Sequence, residues 1–182
     1  MSQAIDDLAG ACVAAVRAAV GVEPDFTPET LPLVDHYASL AGGASEPVLA
    51  LTAPMVGAYF GEVVRRHVAE AAWYLPDDDH ARWRLELAEC VLRFNPVGVA
   101  REALTGALAP GWGAHFETRP GDVPSLEAAL RNAGPVTEDD YFRLSVRVEV
   151  LELAHATLLG AMEARDERGP FGRPDYAAIF ER

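Results

Sequence analysis

The chain has 182 residues, of which 50% are hydrophobic, and its formal net charge at pH 7 is −13. All basic residues other than histidine are arginine, and this absence of lysine excludes a Walker A phosphate loop, a Schiff-base lysine and a Ser-x-x-Lys nucleophile. The negative charge argues against nucleic-acid binding, because phosphate contacts need a clustered positive surface, and it permits a basic protein partner.

Length and cysteine usage indicate the class of protein. A chain of this size forms one domain in the simplest case, and folding buries roughly 70% of its unfolded surface. Cys12 and Cys90 are isolated and lack CxxC spacing, which indicates reduced thiols in a cytoplasmic protein. We also expect no membrane helix and no signal peptide, since long uncharged apolar runs and a basic N-terminal start are lacking.

Apolar periodicity predicts three helices in the first part of the chain. Their expected bounds are Gln3 to Val20, Pro28 to about Leu40, and about Ser45 to Ala72. The third helix has a wide apolar face, typical of a core helix. Gly57 and Gly61 lie on one side of it, and this spacing predicts close approach of another backbone.

A β-hairpin is predicted over about residues 82–94. Apolar and charged residues alternate there, and a two-residue turn at Ala88-Glu89 would put six apolar side chains on one face. The expected pairs are Leu87 with Cys90, Leu85 with Leu92, and Trp83 with Phe94. Because Ala-Glu lacks tight-turn chemistry, a longer loop or a bulge stays open. The preceding Pro76-Asp77-Asp78-Asp79 run is read as an acidic turn, since it lacks the pattern of an EF-hand loop.

The second half of the chain is predicted to be mainly helical. The expected elements are a helix over Pro96–Leu108, a short strand over Gly113–Glu117, a helix over Ser125–Asn132 and a long helix from Thr137 to about Arg168. Residues 141–150 also alternate as in a strand, but the acidic start and the length favour a helix. The tail, residues 169–182, is expected to be a partly ordered arm.

Part of the chain resembles a known pattern. The run Gly57-Ala58-Tyr59-Phe60-Gly61-Glu62-Val63, followed by Trp73 and then by Phe94-Asn95-Pro96, is similar to uncharacterised bacterial domains of unknown function. The resemblance covers about Leu31 to Leu159. It implies an α+β fold and a bacterial setting, and it implies no activity.

Polar residues on the third helix suggest a candidate binding site. Glu62 and Arg66 are spaced for an intrahelical ion pair. The density of polar groups on an otherwise apolar helix motivates the hypothesis that a binding groove lies between the two long helices and the hairpin. The expected groove residues are Tyr59, Glu62, Arg66, Trp73 and Arg147.

Glu152 and His155 form the Glu-x-x-His spacing of carboxylate-bridged metal bundles. Such a site needs a second copy, for which His67 and Glu70 supply only an inverted form. No nucleophile elbow and no glycine-rich phosphate loop occurs, so no catalytic residue and no cofactor are predicted.

The sequence thus predicts one α+β domain over residues 1–182, mainly helical, with a small antiparallel sheet. The leading functional hypothesis is non-catalytic protein binding through the acidic surface or the groove, with a basic partner and, in one form, an immunity-type role. The alternative is a metal-dependent enzyme or sensor at Glu152 and His155. A third hypothesis is a subunit of a homo-oligomer.

Overall fold

A computed structural model describes residues 2–41, 43 and 45–181. The helices are α1 (Gln3–Val20), α2 (Leu31–Leu40), α3 (Glu46–His67), α4 (Pro96–Thr105), α5 (Val123–Asn132), α6 (Glu138–Tyr141), α7 (Leu144–Glu163) and α8 (Arg173–Phe180). The strands are β1 (Ala71–Tyr74), β2 (Arg84–Leu87), β3 (Leu92–Phe94) and β4 (Glu117–Thr118). Short 3-10 helices span Pro28–Thr30 and His80–Arg82. This architecture confirms the predicted α+β class.

Helix α3 lies at the centre of the core and packs against α1 and α4. A Cβ added to Gly57 would lie 2.6 Å from the Cα of Val97 on α4, so the backbones of the two helices touch there. Gly61 leaves the space that the indole of Trp73 occupies. The predicted close approach is therefore confirmed at Gly57. Although α3 is long and apolar enough to span a membrane, 72% of its apolar stretch is buried inside the protein.

The predicted end of α3 was wrong. The helix ends at His67 and not at Ala72, and the following residues form strand β1. Ala71 lies opposite Leu87, and Trp73 lies opposite Leu85 in the antiparallel register. Pairing with β2 overrides the local helix preference of an alanine-rich segment, because the ladder satisfies its backbone groups.

The hairpin exists, but its predicted register was wrong by two residues. Leu85 lies opposite Phe94, and Glu86 lies opposite Arg93. The connection is therefore the longer loop, over residues 88–91, instead of a two-residue turn. A shift of two leaves every side chain on its predicted face. Leu85, Leu87, Leu92 and Phe94 are accordingly all buried.

The hairpin strands are the two middle strands of a four-stranded antiparallel sheet in the order β1-β2-β3-β4. Strand β4 begins at Glu117, where the predicted short strand was expected to end. Leu92 of β3 lies opposite Thr118 of β4. The hydroxyl of Thr118 also donates to the carbonyl of Val91 at 2.7 Å, which ties β4 to the hairpin loop.

The long helix predicted from Thr137 is interrupted. The hydroxyl of Thr137 caps α6 as expected by accepting from the N–H of Asp140, but α6 ends at Tyr141. Helix α7 then starts at Leu144, so the alternating residues from there to 150 are helical. Asp35 of α2 accepts the N–H groups of Leu144 and Ser145 at 2.6 and 3.1 Å. This cap from another helix allows α7 to begin independently.

Two other helices are shorter or longer than predicted. Helix α4 ends at Thr105, three residues before the expected Leu108, because Gly106 takes the left-handed conformation with φ of 62°. Helix α5 starts at Val123, two residues before the expected Ser125.

The C-terminal arm folds into α8 and lies against the sheet. Its Tyr176 is 0% exposed. The Tyr176 hydroxyl accepts from the N–H of Leu92 at 3.0 Å and lies 2.7 Å from the carbonyl of Leu87. It therefore satisfies backbone groups that the four-residue hairpin loop leaves without ladder partners. Residue 182, the last of the predicted arm, lies outside the described residues.

Candidate functional site

The structure brings together three of the five residues predicted to line a groove. The Glu62 side chain is fully buried, and its carboxylate accepts from Nε1 of Trp73 at 3.1 Å. Arg65 donates to both of its oxygens, and Arg66 lies 3.4 Å away. Burial alone would raise the pKa of Glu62, but the hydrogen bonds and the two guanidinium charges hold it below its ordinary value. The carboxylate therefore has its partners within the fold.

The polar groups of the other two predicted groove residues make their hydrogen bonds with other partners. The Tyr59 hydroxyl accepts from the N–H of Phe26 at 2.9 Å and lies 3.0 Å from the hydroxyl of Thr30. Arg147 forms a buried ion pair with Glu102 on α4. Tyr59 is still connected to Glu62, because Phe26 stacks on the Tyr59 ring and Arg66 lies over Phe26. The structure thus divides the predicted set between two polar clusters, of which one holds Arg147 and the other holds the remaining four residues.

The predicted metal residues lie on α7. Glu152 is exposed, whereas the His155 side chain is only 11% exposed. Nε2 of His155 lies 3.1 Å from a carboxylate oxygen of Glu89, although the geometry is not that of a hydrogen bond. Within the described residues, no group of three or more His, Cys, Asp or Glu side chains is arranged to hold a metal ion.

A different feature has the shape of a binding site. A pocket of about 480 Å³ lies between the hairpin loop, the end of α7 and the start of the C-terminal arm. We call it the acidic pocket. Its lining residues are Glu70, Ala88, Glu89, Leu159, Met162, Glu163, Asp166, Glu167, Arg168, Gly169 and Pro170.

The charge of the acidic pocket is negative. Of its five carboxylates, only Glu167 forms ion pairs with arginines among the described residues, and its partners are Arg119 and Arg165. The hydrogen bond from Arg119, its largest influence, holds the pKa of Glu167 below its ordinary value. Arg168 supplies the one positive charge among the lining residues. The C-terminal end of α7 adds a partial negative charge, because the helix dipole is negative there.

Apolar groups form the rest of the lining. Met162 is 4% exposed and belongs to the core, and Leu159 packs against that core. Ala88 and Pro170 complete the apolar part. A pocket that combines carboxylates with apolar walls fits a cationic group on an aliphatic stem, since the walls take the stem and the carboxylates take the charge.

This pocket was not predicted, because its residues come from three separate places in the chain: residue 70, residues 88–89 and residues 159–170. Only one local signal pointed to it. Glu163, Asp166 and Glu167 lie at the end of a predicted helix, where carboxylates oppose the helix dipole, and Arg165 and Arg168 are interspersed with them.

A second pocket, of about 610 Å³, lies where α2, α4 and the start of α7 meet. Its partly buried carboxylate is Asp35. Burial raises the pKa of Asp35, against the lowering effect of the hydrogen bonds from Ser145 and Leu144. Since both oxygens of Asp35 already accept hydrogen bonds from the start of α7, this group serves the fold.

Comparisons of the chain with protein-family models, with curated protein sequences and with solved structures gave no match.

Proposed function

We propose that this protein binds a basic protein partner without catalysing a reaction, and that the acidic pocket is the contact site. The observation that carries the proposal is the pocket itself, in which Glu70, Glu89, Glu163 and Asp166 have no arginine partner in the described part of the chain and surround apolar walls. A lysine or arginine side chain from the partner would bury its stem and pair its charge there.

The charge of the whole chain supports this proposal. A net charge of −13 accelerates encounter with a basic protein through electrostatic steering, and the acceleration falls with salt. A protein that neutralises a basic toxin, as an immunity protein does, is one specific form of this function. We place it in the bacterial cytoplasm, where the buried thiols of Cys12 and Cys90 stay reduced.

The test is affinity capture from the lysate of the native host with three forms of the full chain, at about 0.05 and 0.5 M salt. The first form is the unmodified protein, and the second is a pocket variant that loses four charges. The pocket variant is Glu70→Gln, Glu89→Gln, Glu163→Gln, Asp166→Asn. We expect a stoichiometric basic protein on the unmodified bait at low salt, its loss at high salt and its loss from the pocket variant.

The third form is the matched control, which removes the same number of charges from exposed acidic residues outside the pocket. The control variant is Asp7→Asn, Glu29→Gln, Asp78→Asn, Glu127→Gln. It should retain the partner. Equal loss of the partner from the pocket variant and from the control would show that binding depends on net charge and not on the pocket. Capture of no basic protein by any of the three forms would refute the proposal.

The alternative of a metal-dependent enzyme or sensor rests on Glu152 and His155. Its test is the metal content of the protein purified from its host, compared with that of the His155→Ala variant. A stoichiometric metal that disappears with this substitution would establish the alternative. Because Glu89 is the carboxylate nearest to His155, Glu89→Gln should then weaken the same metal.

A further inference from the structure

We propose that the partner contacts β1 as an extended strand that joins the sheet at its free edge, beside the acidic pocket. This inference rests on the proposed function and specifies the form of the bound segment. Strand β1 is the first strand in the sheet order and pairs on one side only, with β2. An edge of this kind presents backbone groups that another strand can satisfy.

The register shows which backbone groups face the free edge. The N–H of Ala88 donates to the carbonyl of Glu70 at 2.7 Å, and these two residues lie opposite one another by continuation of the β1–β2 register. In an antiparallel ladder such hydrogen-bonded pairs alternate with pairs whose N–H and C=O groups point away. The N–H and C=O groups of Ala71 and Trp73 therefore point outward. Neither residue makes a further backbone hydrogen bond in the described chain.

The acidic pocket lies at the start of β1. Glu70 lines that pocket and directly precedes the strand. A smaller pocket of about 180 Å³ is lined by β1 together with Glu86 of β2 and residues 171–173 of the arm, so it does not follow the outer edge of β1. The exposed carboxylate of Glu70 thus lies where the strand begins. An extended segment on β1 would carry a basic side chain at this end into the acidic pocket, while its backbone paired with Ala71 and Trp73.

The negative charge of the chain favours a basic segment of another protein at the β1 edge over a second copy of the chain. A second copy of this chain could pair edge to edge, but each copy has a net charge of −13, so two copies repel one another. A basic segment is attracted to the same place. The occupant is therefore a segment of another protein with alternating side chains and an arginine or lysine at one end.

The probe for the test is a synthetic peptide of alternating threonine and valine with arginine at both ends. Its control is the same peptide with N-methyl groups on alternate amides, which removes backbone donors and leaves the charge unchanged. Both are titrated into the ¹⁵N-labelled full chain, and binding is followed by amide shifts and hydrogen exchange. We expect the amides of Ala71 and Trp73 to gain protection with the first peptide. The methylated peptide should bind roughly tenfold to thirtyfold more weakly, since each lost hydrogen bond costs about a factor of five.

The outcomes separate this inference from the proposed function. Equal binding of the two peptides, or binding of neither, would overturn strand addition, and salt-sensitive capture of a partner by the pocket would still stand. The amides of Ala71 and Trp73 could also gain the same protection at both salt concentrations and in the four-charge pocket variant. That result would support strand addition and contradict the role of the pocket.

Discussion

The contact between α3 and α4 depends on the missing side chain of Gly57, and substitution by alanine tests this directly. The added Cβ would lie 2.6 Å from the Cα of Val97 and 2.9 Å from the carbonyl carbon of Pro96, whereas ordinary contacts begin near 3.4 Å. The obstructing atoms belong to the backbone, so no side-chain rotation relieves the clash. The two helices must separate by roughly 0.8 Å at their closest point.

The expected cost follows from two opposing effects. Overpacking of a core costs about 1–3 kcal/mol, and the upper end applies here because backbone must move. Alanine in place of glycine inside a helix returns about 1 kcal/mol. We therefore expect Gly57→Ala to lower the free energy of unfolding by about 2 kcal/mol. For a chain of this size, that corresponds to a midpoint about 4–8 °C lower.

Two other helical glycines provide matched controls. A Cβ at Gly10 of α1 or Gly160 of α7 would meet no atom within 4 Å. Alanine at either position should cause no clash and should only favour the helical backbone over the unfolded chain. The free energy of unfolding should therefore rise by up to about 1 kcal/mol. Urea and thermal unfolding followed by circular dichroism at 222 nm measure all three variants. A Gly57→Ala protein as stable as the unmodified chain would refute the account of the α3–α4 contact.

Three further outcomes are expected. Glu102→Gln breaks the buried ion pair with Arg147, so it should lower the free energy of unfolding, measured in urea, by about 3–5 kcal/mol. The control Glu23→Gln breaks the exposed pair with Arg17 and should cost less than about 1 kcal/mol. Tyr176→Phe removes the buried hydroxyl that hydrogen-bonds the Leu87 carbonyl and the Leu92 N–H, and should cost about 1–3 kcal/mol. Tyr74→Phe, whose hydroxyl makes no hydrogen bond among the described residues, should change the free energy of unfolding by less than about 0.5 kcal/mol. Burial raises the pKa of both cysteine thiols to about 12, so a disulfide reagent at about pH 8 should label them only after unfolding. Rapid labelling of the folded protein would contradict the burial of the thiols. In the unfolded chain the thiols lose their protons from about pH 9, so their contribution to the free energy of unfolding is complete below that pH and falls as the pH rises towards 12.

Periodicity predicted the faces of the elements better than their ends. Helix α1 was predicted with its observed bounds, because Gly21 ends it through its own left-handed conformation. The start of α7 depends instead on Asp35, 109 residues away from Leu144. No local pattern reports a cap of this kind, so the sequence predicted one long helix where the structure has two.

The candidate site was harder to predict for the same reason. Tyr59 and Arg147 appeared suited to a shared groove because each is a polar residue on an apolar helix. Their actual partners, Thr30 and Glu102, come from other elements and satisfy them individually. A polar residue on a buried face shows that a partner exists, and only the packing of the whole chain shows which one.

The Tyr176 hydroxyl also links the hairpin loop to a segment of the chain that is synthesised later. Leu92 and Tyr176 are 84 residues apart in the chain. At about 5–20 residues per second, the ribosome adds that length in roughly 4–17 s, and for this time the nascent hairpin loop has no hydroxyl to satisfy it. The hairpin loop and the arm therefore stabilise one another only after both have left the ribosome.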